Sequence, residues 1–208
     1  SVKMETSLLK TEVSRDSVSI TLKKQKSGFA KALNNMAFGH TWSDTTGFSF
    51  RFGGLVNLES LSFNTVDGFK YGIDFRIAKR FRSKGTLTIA PELKWAFSRE
   101  SLYWRINSGY NFNGMKQRSI SLAAGITSKD ISSGGGIKPF LNSVSSLFFE
   151  RNYLKLYESK YLTATYRSEI TNGMNLVLSA GYEDRNTLKN TTSFSFVKTS
   201  REYTPNIP

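Results

Sequence analysis

Cysteine is absent, histidine occurs once, and the 208 residues carry 16 acidic side chains against 29 basic ones. Each shortage removes a class of protein. Without cysteine the chain forms neither a disulfide framework nor a thiolate metal site. With His40 alone there is no histidine cluster for a metal, and serine–histidine catalysis would need that one imidazole as base, yet no nucleophile-elbow motif occurs to use it. Long apolar runs are missing too. No stretch of about 18 uninterrupted apolar residues exists and the mean hydropathy is -0.35, which excludes a bundle of transmembrane helices. A membrane β-barrel survives that test, because its lumen side and loops are polar. Ser1-Val2-Lys3-Met4 holds no apolar leader segment, so any secretory signal is expected to have been removed or to lie upstream.

What the chain does have is strict alternation. From Phe69 the odd positions read Phe69, Tyr71, Ile73, Phe75 and Ile77, while Lys70, Gly72, Asp74, Arg76 and Ala78 fall between them. Successive side chains of a strand point to opposite faces, so this describes a sheet whose two sides meet different solvents. The pattern recurs. Phe48, Phe50 and Phe52 share a face after a turn at Ser43 to Thr46, preceded by Met36, Phe38, His40 and Trp42 as a first strand. Leu87 to Phe97, Leu102 to Phe112, Ile120 to Ile126, Leu162 to Ile170 and Met174 to Tyr182 repeat it. Arg82-Ser83-Lys84-Gly85, Asn113-Gly114 and Asn172-Gly173 supply hairpin turns. Pro91 cannot donate to a ladder and marks an edge, a bulge or a loosened pair.

The reading is an all-β chain, an antiparallel meander forming an up-and-down transmembrane β-barrel or part of a larger one. Residues 1–33 read as a polar lead-in or linker, with a strand-like Val18, Ile20, Leu22 pattern competing against a short basic helix. Residues 34–208 form the barrel segment. The stretch from Leu55 to Val66 is expected to be a loop. Ser128 to Asn142, with the Gly134-Gly135-Gly136 run, breaks the meander, and a short loop helix is expected near 143–157. The tail from Asn186 lacks a terminal aromatic strand, so the segment is expected to be a fragment of a longer barrel.

Two sheets fit such alternation: a sandwich or barrel with an apolar core, and a membrane barrel with an apolar outside. The polar faces favour the second. They mix small residues with charges of both signs, Asp74, Arg76, Glu92, Lys94, Arg105, Arg167 and Glu169, as a crowded hydrogen-bonded lumen requires. The expected role of these charges is mutual neutralisation across neighbouring strands. Tyr71, Trp95, Trp104, Tyr110 and Tyr182 sit toward strand ends, where interfacial aromatic girdles belong. The net charge of +13 and pI near 9.9 are spread along the chain, with clusters at Lys23, Lys24 and Lys26 and at Lys79, Arg80, Arg82 and Lys84. Such clusters suit lipid phosphates or lipopolysaccharide, or simply solvate a turn.

The runs Phe63-Asn64-Thr65-Val66-Asp67-Gly68-Phe69, Asn152-Tyr153-Leu154-Lys155-Leu156-Tyr157-Glu158, Glu169-Ile170-Thr171-Asn172-Gly173-Met174 and Tyr182-Glu183-Asp184-Arg185 resemble an outer-membrane β-barrel family of Bacteroidota. Its function is unknown, and in its members this region follows a carboxypeptidase-regulatory-like domain. The resemblance implies an envelope location and a longer barrel, and adds no catalytic residues.

No residue is nominated for catalysis, cofactor binding or metal ligation, and no cofactor is expected. His40, between Phe38 and Trp42, reads as a structural side chain, and Asn190-Thr191-Thr192 as an uninformative glycosylation match. The expected function is therefore a non-enzymatic component of the bacterial outer membrane, acting in envelope biogenesis, transport or assembly scaffolding. Its expected partners are outer-membrane lipid or lipopolysaccharide and other envelope proteins, with no nucleic acid. The alternative is a soluble basic β-domain binding an anionic glycan or nucleic acid. A lipid-acting enzyme at the barrel rim comes third.

Overall fold

A computed structural model describes residues 28–57, 60–82, 85–112, 117–132, 136–198 and 201–207. Its main body is one antiparallel sheet. The strands are β1 (His40–Ser43), β2 (Phe48–Phe52), β3 (Leu61–Asn64), β4 (Gly68–Phe81), β5 (Gly85–Ala96), β6 (Ser101–Asn111), β7 (Arg118–Asp130), β8 (Leu156–Thr171) and β9 (Met174–Thr187). They lie in the order β1-β2-β4-β5-β6-β7-β8-β9, with β3 paired to β4. The sheet is open. β1 and β9 are its edges, and among the described residues they do not pair with each other.

β2 and β3 share one side of β4. Phe52 faces Phe75 and Leu61 faces Tyr71, so the two act as halves of a single strand interrupted by residues 53–60. The expected loop over 55–66 is corrected here, because Leu61–Asn64 is hydrogen-bonded strand. On the other side β4 meets β5 with Ile73 opposite Leu93. The β4–β5 register is interrupted between Asp74–Glu92 and Ile77–Ile89, at Pro91, whose nitrogen has no proton to give. Toward β6 the same residue is in register with Ile106. Pro91 thus loosens one ladder of a central strand.

Among the described residues, two short helices flank the sheet. α1 covers 28–38, across the expected lead-in boundary and over Met36 and Phe38, which were expected in the first strand. Alternation at two positions is a weaker signal than the helix formers Ala30, Ala32, Leu33, Met36 and Ala37, and Gly39, at φ +84°, takes the left-handed turn that ends the helix. The strand therefore starts at His40. α2 runs Pro139–Phe149 and not over 143–157. Pro139 sets its start, Glu150 adopts the left-handed conformation at its end, and β8 already begins at Leu156, six residues before the expected Leu162. β7 likewise continues to Asp130, beyond the expected break at Ser128.

The β8–β9 hairpin turns at Asn172-Gly173 as expected. Asn113-Gly114, Ser83-Lys84, Gly134-Gly135 and residues 1–27 lie outside the described residues. The strand ends that join β1 to β2, β4 to β5, β6 to β7 and β8 to β9 gather at one end of the sheet, the hairpin end. At the other end lie the β3–β4 turn, the β5–β6 turn, the β7–β8 connection with α2, and the tail after β9.

The register puts each alternating face on one side of the sheet. Trp42, Phe50 and Ile77 continue one another across β1, β2 and β4, and Tyr110, Ile120, Tyr166 and Leu178 do so across β6 to β9. Nothing among the described residues covers the middle of this face. Leu102, Ile106, Leu122, Leu162 and Leu178 are all exposed. The apolar cluster of buried residues among the described ones, Val66, Leu154, Leu156 and Leu188 with Ile137 against it, sits instead at the end carrying α2.

Candidate functional site

Of the charges expected on the polar face, three converge. Glu92 on β5 accepts from Lys94 on its own strand and from Arg105, directly opposite on β6. Asp74 faces Glu92 in register, and Arg76 faces Arg51 of β2. Arg167 lies far from this group, near the end of β8, opposite Ser119 and Val177. Glu169 accepts the Gly173 backbone N–H in the hairpin turn at 3.3 Å. The seven residues therefore do not form one site. Further ion pairs on this face join Glu183 of β9 to Lys129 of β7 at 2.9 Å and to Arg185 at 2.6 Å.

The expected aromatics fall at different levels of the apolar face. Tyr71 is in register with Trp95, which faces Leu102, and the Tyr71 hydroxyl donates to the Leu55 carbonyl at 2.9 Å. Tyr110 lies nearer the hairpin end, beside Phe81 and Phe112. Trp104 faces Leu93 and Ile126. Tyr182 faces Leu162 and is 71% exposed.

The most ordered chemistry lies where no site was expected, at the β3–β4 turn. Asn64 Oδ1 accepts the N–H groups of Val66 and Asp67 at 2.9 and 2.7 Å, the local turn that an Asn before a tight reversal makes. Gly68 follows at φ +69°, with Ser98 packed where a Cβ would stand, so an L side chain is excluded. This geometry drives the Asp67 carboxylate inward, fully buried. Its Oδ1 accepts from the Tyr103 hydroxyl at 2.7 Å, and its Oδ2 from Ser128 at 2.7 Å and Lys70 Nζ at 3.0 Å. Tyr103 in turn accepts from Arg99, which also pairs with Glu158 at 2.6 Å. One chain of charge-assisted bonds thus ties β4, β6, β7 and β8 together. Burial pushes the Asp67 carboxyl up, but the Lys70 ammonium and the Tyr103 and Ser128 hydroxyls outweigh it and hold the group below the usual carboxylate range.

The same turn also anchors α2 and the tail after β9. Thr65 Oγ1 donates to Asn190 at 2.9 Å and accepts from Asn152 at 2.6 Å, and Asn152 accepts from Asn142 of α2 at 2.8 Å. Thr191 closes on the Thr65 carbonyl at 2.8 Å and on the Val66 carbonyl at 2.7 Å. Asn206 brackets Leu156 and Leu188 with three bonds of 2.7 Å. The signal was present in the sequence as the Asn64-x-x-Asp67-Gly68 spacing and the Asn152 run. Their partners, 36 to 125 residues away, were not.

Among the described residues, no buried side-chain nitrogen or oxygen lacks a partner and no group of three or more His, Cys, Asp and Glu side chains is placed to hold a metal. The network's saturated bonds suit it to holding the turn, α2 and the tail against the strand ends. No described helix is long and apolar enough to cross a membrane, which leaves strands untouched. No curated protein and no solved structure matches the chain. Residues 33–208 match the model of a family of unknown function, DUF5686, C-terminal domain. With most of its length matched, the chain belongs to that family.

Proposed function

We propose that this chain forms wall strands of a β-barrel in the bacterial outer membrane, apolar face toward lipid and polar face toward a lumen, with no covalent chemistry of its own. The observation that carries the reading is the uncovered apolar face. Leu102, Leu162 and Leu178 are each half exposed or more, at 53%, 50% and 56%, in a sheet whose other face is ion-paired. A water-soluble chain rarely leaves so continuous an apolar surface open.

Three further features support it. β4 to β9 run 11 to 16 residues, well beyond the globular mode of about 5 or 6, and tilted strands of about 9 to 11 already span a bilayer. The long β7–β8 connection carrying α2 lies at one end, opposite the hairpin end, and suits a barrel with unequal ends. The third is β9, a strand of 14 residues that has no outer partner among the described residues. Backbone groups in lipid must be paired, so β9 and β1 would meet further strands of the intact protein, in keeping with a family defined as a C-terminal domain. The expected roles are envelope biogenesis, transport or scaffolding, with outer-membrane lipid and other envelope proteins as partners.

Membrane fractionation of the intact protein, then electrophoresis with and without boiling, tests the proposal. Outer-membrane recovery with a heat-dependent shift is the expected result. Recovery in the soluble fraction would overturn it and turn attention to a basic β-domain that binds polyanions.

A further inference from the structure

An ordinary surface helix buries its apolar stripe and shows its polar one to solvent. α2 does the reverse. Phe140, Leu141, Val144 and Phe148 fall within about 100° of one another around the helix axis, and all four are exposed, Phe140 at 54%. On the opposite side Asn142, Ser143 and Ser146 are buried, Asn142 and Ser146 completely. No residue of α2 carries a charge.

The inward polar side is fixed by its bonds. Ser143 Oγ accepts the Phe63 N–H of β3 at 2.7 Å, so the helix covers the edge of β3 that faces away from β4. Asn142 donates to Asn152 and accepts the Tyr153 N–H, both at 2.8 Å, and Ser146 donates to the Arg151 carbonyl at 3.2 Å. Rotating α2 to hide its phenylalanines would strip these buried groups of their partners, and each unsatisfied group is costly. The outward apolar stripe is therefore a fixed feature of the fold.

That stripe is continuous with the apolar wall. Phe69, on the apolar face of β4, meets the Phe63 ring at 4.9 Å and the Phe194 ring at 5.9 Å; Phe194 meets Phe196 at 5.4 Å, and Phe196 meets Phe148 of α2 at 5.6 Å. The tail lies along the helix, with the Phe196 N–H on the Leu147 carbonyl at 2.8 Å, and leaves Phe194 and Phe196 exposed. Charge around the stripe is of one sign. Residues 136–155 and 188–207 hold six basic side chains against two acids, Glu150 and Glu202, and Glu150 is buried, accepting from Ser195 at 3.0 Å. Lys138 just before α2 and Arg151 just after it are both exposed. An uncharged apolar stripe with basic flanks is the pattern of a helix lying in the plane of an anionic bilayer surface.

Resting on the reading of the wall as lipid-facing, we propose that α2 lies in the surface of the same bilayer. Its apolar stripe and the tail phenylalanines sink into the boundary between headgroups and acyl chains, and its basic flanks meet the lipid phosphates. So placed, the helix marks the level at which the apolar wall ends and fixes the height of the strands in the membrane.

The test is depth-dependent quenching in vesicles of phosphatidylethanolamine and phosphatidylglycerol holding the intact protein, with any other cysteine replaced by serine. A small fluorophore is attached at Phe140→Cys, Val144→Cys or Phe148→Cys, and lipids carry a nitroxide either at the headgroup or deep in the acyl chain. All three probes are expected to be quenched more by the headgroup nitroxide than by the deep one, as burial of about 5 to 10 Å requires. Leu122→Cys, midway along β7, is expected to show the reverse order, and Ser121→Cys to escape both. The heat-dependent gel shift of each variant reports its fold; should a phenylalanine variant lose it, Val144→Cys, the smaller change, carries the test. Unquenched α2 probes beside a quenched Leu122 probe would overturn the placement of the helix and leave the wall standing. Stronger quenching of the α2 probes by the deep nitroxide would overturn it as well, as would probes shielded from aqueous iodide yet untouched by either nitroxide, since a second copy of the protein would then cover the stripe. A Leu122 probe that escapes both nitroxides would remove the lipid-facing wall and this proposal with it.

Discussion

Across β6 to β9 the apolar side chains Leu102, Leu122, Leu162 and Leu178 stand open on a broad face, whereas at the end of the same strands Asn64, Thr65, Asp67 and Asn142 are sealed from solvent. A globular domain arranges these classes the other way round. The wall is held by backbone ladders, cross-strand pairs and the solvent its apolar face requires. The end is held by directional bonds between polar groups that water cannot reach. The wall's specificity lies in a repeating pattern. The end's specificity lies in single residues, and its tolerance for substitution is correspondingly small.

The comparison breaks most sharply at Asp67. Asp67→Ala leaves Lys70, Tyr103 and Ser128 without their shared acceptor, and removing one partner of a buried pair costs about 3 to 5 kcal/mol. Denaturant unfolding of the intact protein is expected to show a loss of that order, and a loss under about 1 kcal/mol would mean the network carries little load.

Next comes the wall. Leu122→Arg on the apolar face is expected to cost about 2 to 4 kcal/mol and to impair membrane assembly. Ser121→Arg, its neighbour on the polar face, should assemble normally, and equal tolerance would remove the distinction between the faces.

A pH series separates the two regions again. The folded pKa of Asp67 is lowered, so its contribution is complete above the unfolded value of about 3.9 and is lost as pH falls through the folded value. Stability is expected to drop below about pH 4, with a slope that Asp67→Asn reduces. An unchanged slope in that variant would place the acid sensitivity elsewhere.

The smallest effect is expected at Glu92→Gln. The Arg105 side chain is half exposed beside it, and a pair of this kind contributes about 1 kcal/mol or less. A cost above about 2 kcal/mol would mean the polar face is drier than its exposure implies.

The wall was legible in the sequence because a period of two is local: Phe69 to Ile77 and Leu87 to Phe97 each declare their faces without reference to a partner. The hairpin at Asn172-Gly173 was legible for the same reason. The end was not. Asp67 meets Tyr103 and Ser128, and Thr65 meets Asn152 and Asn190, through contacts that only the completed fold creates. Met36 and Phe38 mimic two beats of alternation inside a helix that Gly39 ends. Gly72 reads as an indifferent polar-face position, yet a Cβ there would stand 2.7 Å from the Leu93 carbonyl oxygen, so even Gly72→Ser strains the β4–β5 pair. Closure of the sheet was likewise beyond local pattern, since alternation fixes faces and leaves the partners of an edge unspecified.

These 208 residues hold no cysteine, and with any cysteine elsewhere in the intact protein replaced by serine, single-cysteine scanning along β7 in native membranes tests the central claim directly. With a charged, membrane-impermeant maleimide, Ser119→Cys, Ser121→Cys and Ala123→Cys are predicted to react, while Ile120→Cys, Leu122→Cys and Ala124→Cys resist labelling and, carrying a small fluorophore, are quenched by lipid-borne nitroxide. Labelling without alternation, or an apolar face that reacts freely and escapes lipid quenching, would contradict a lipid-facing wall.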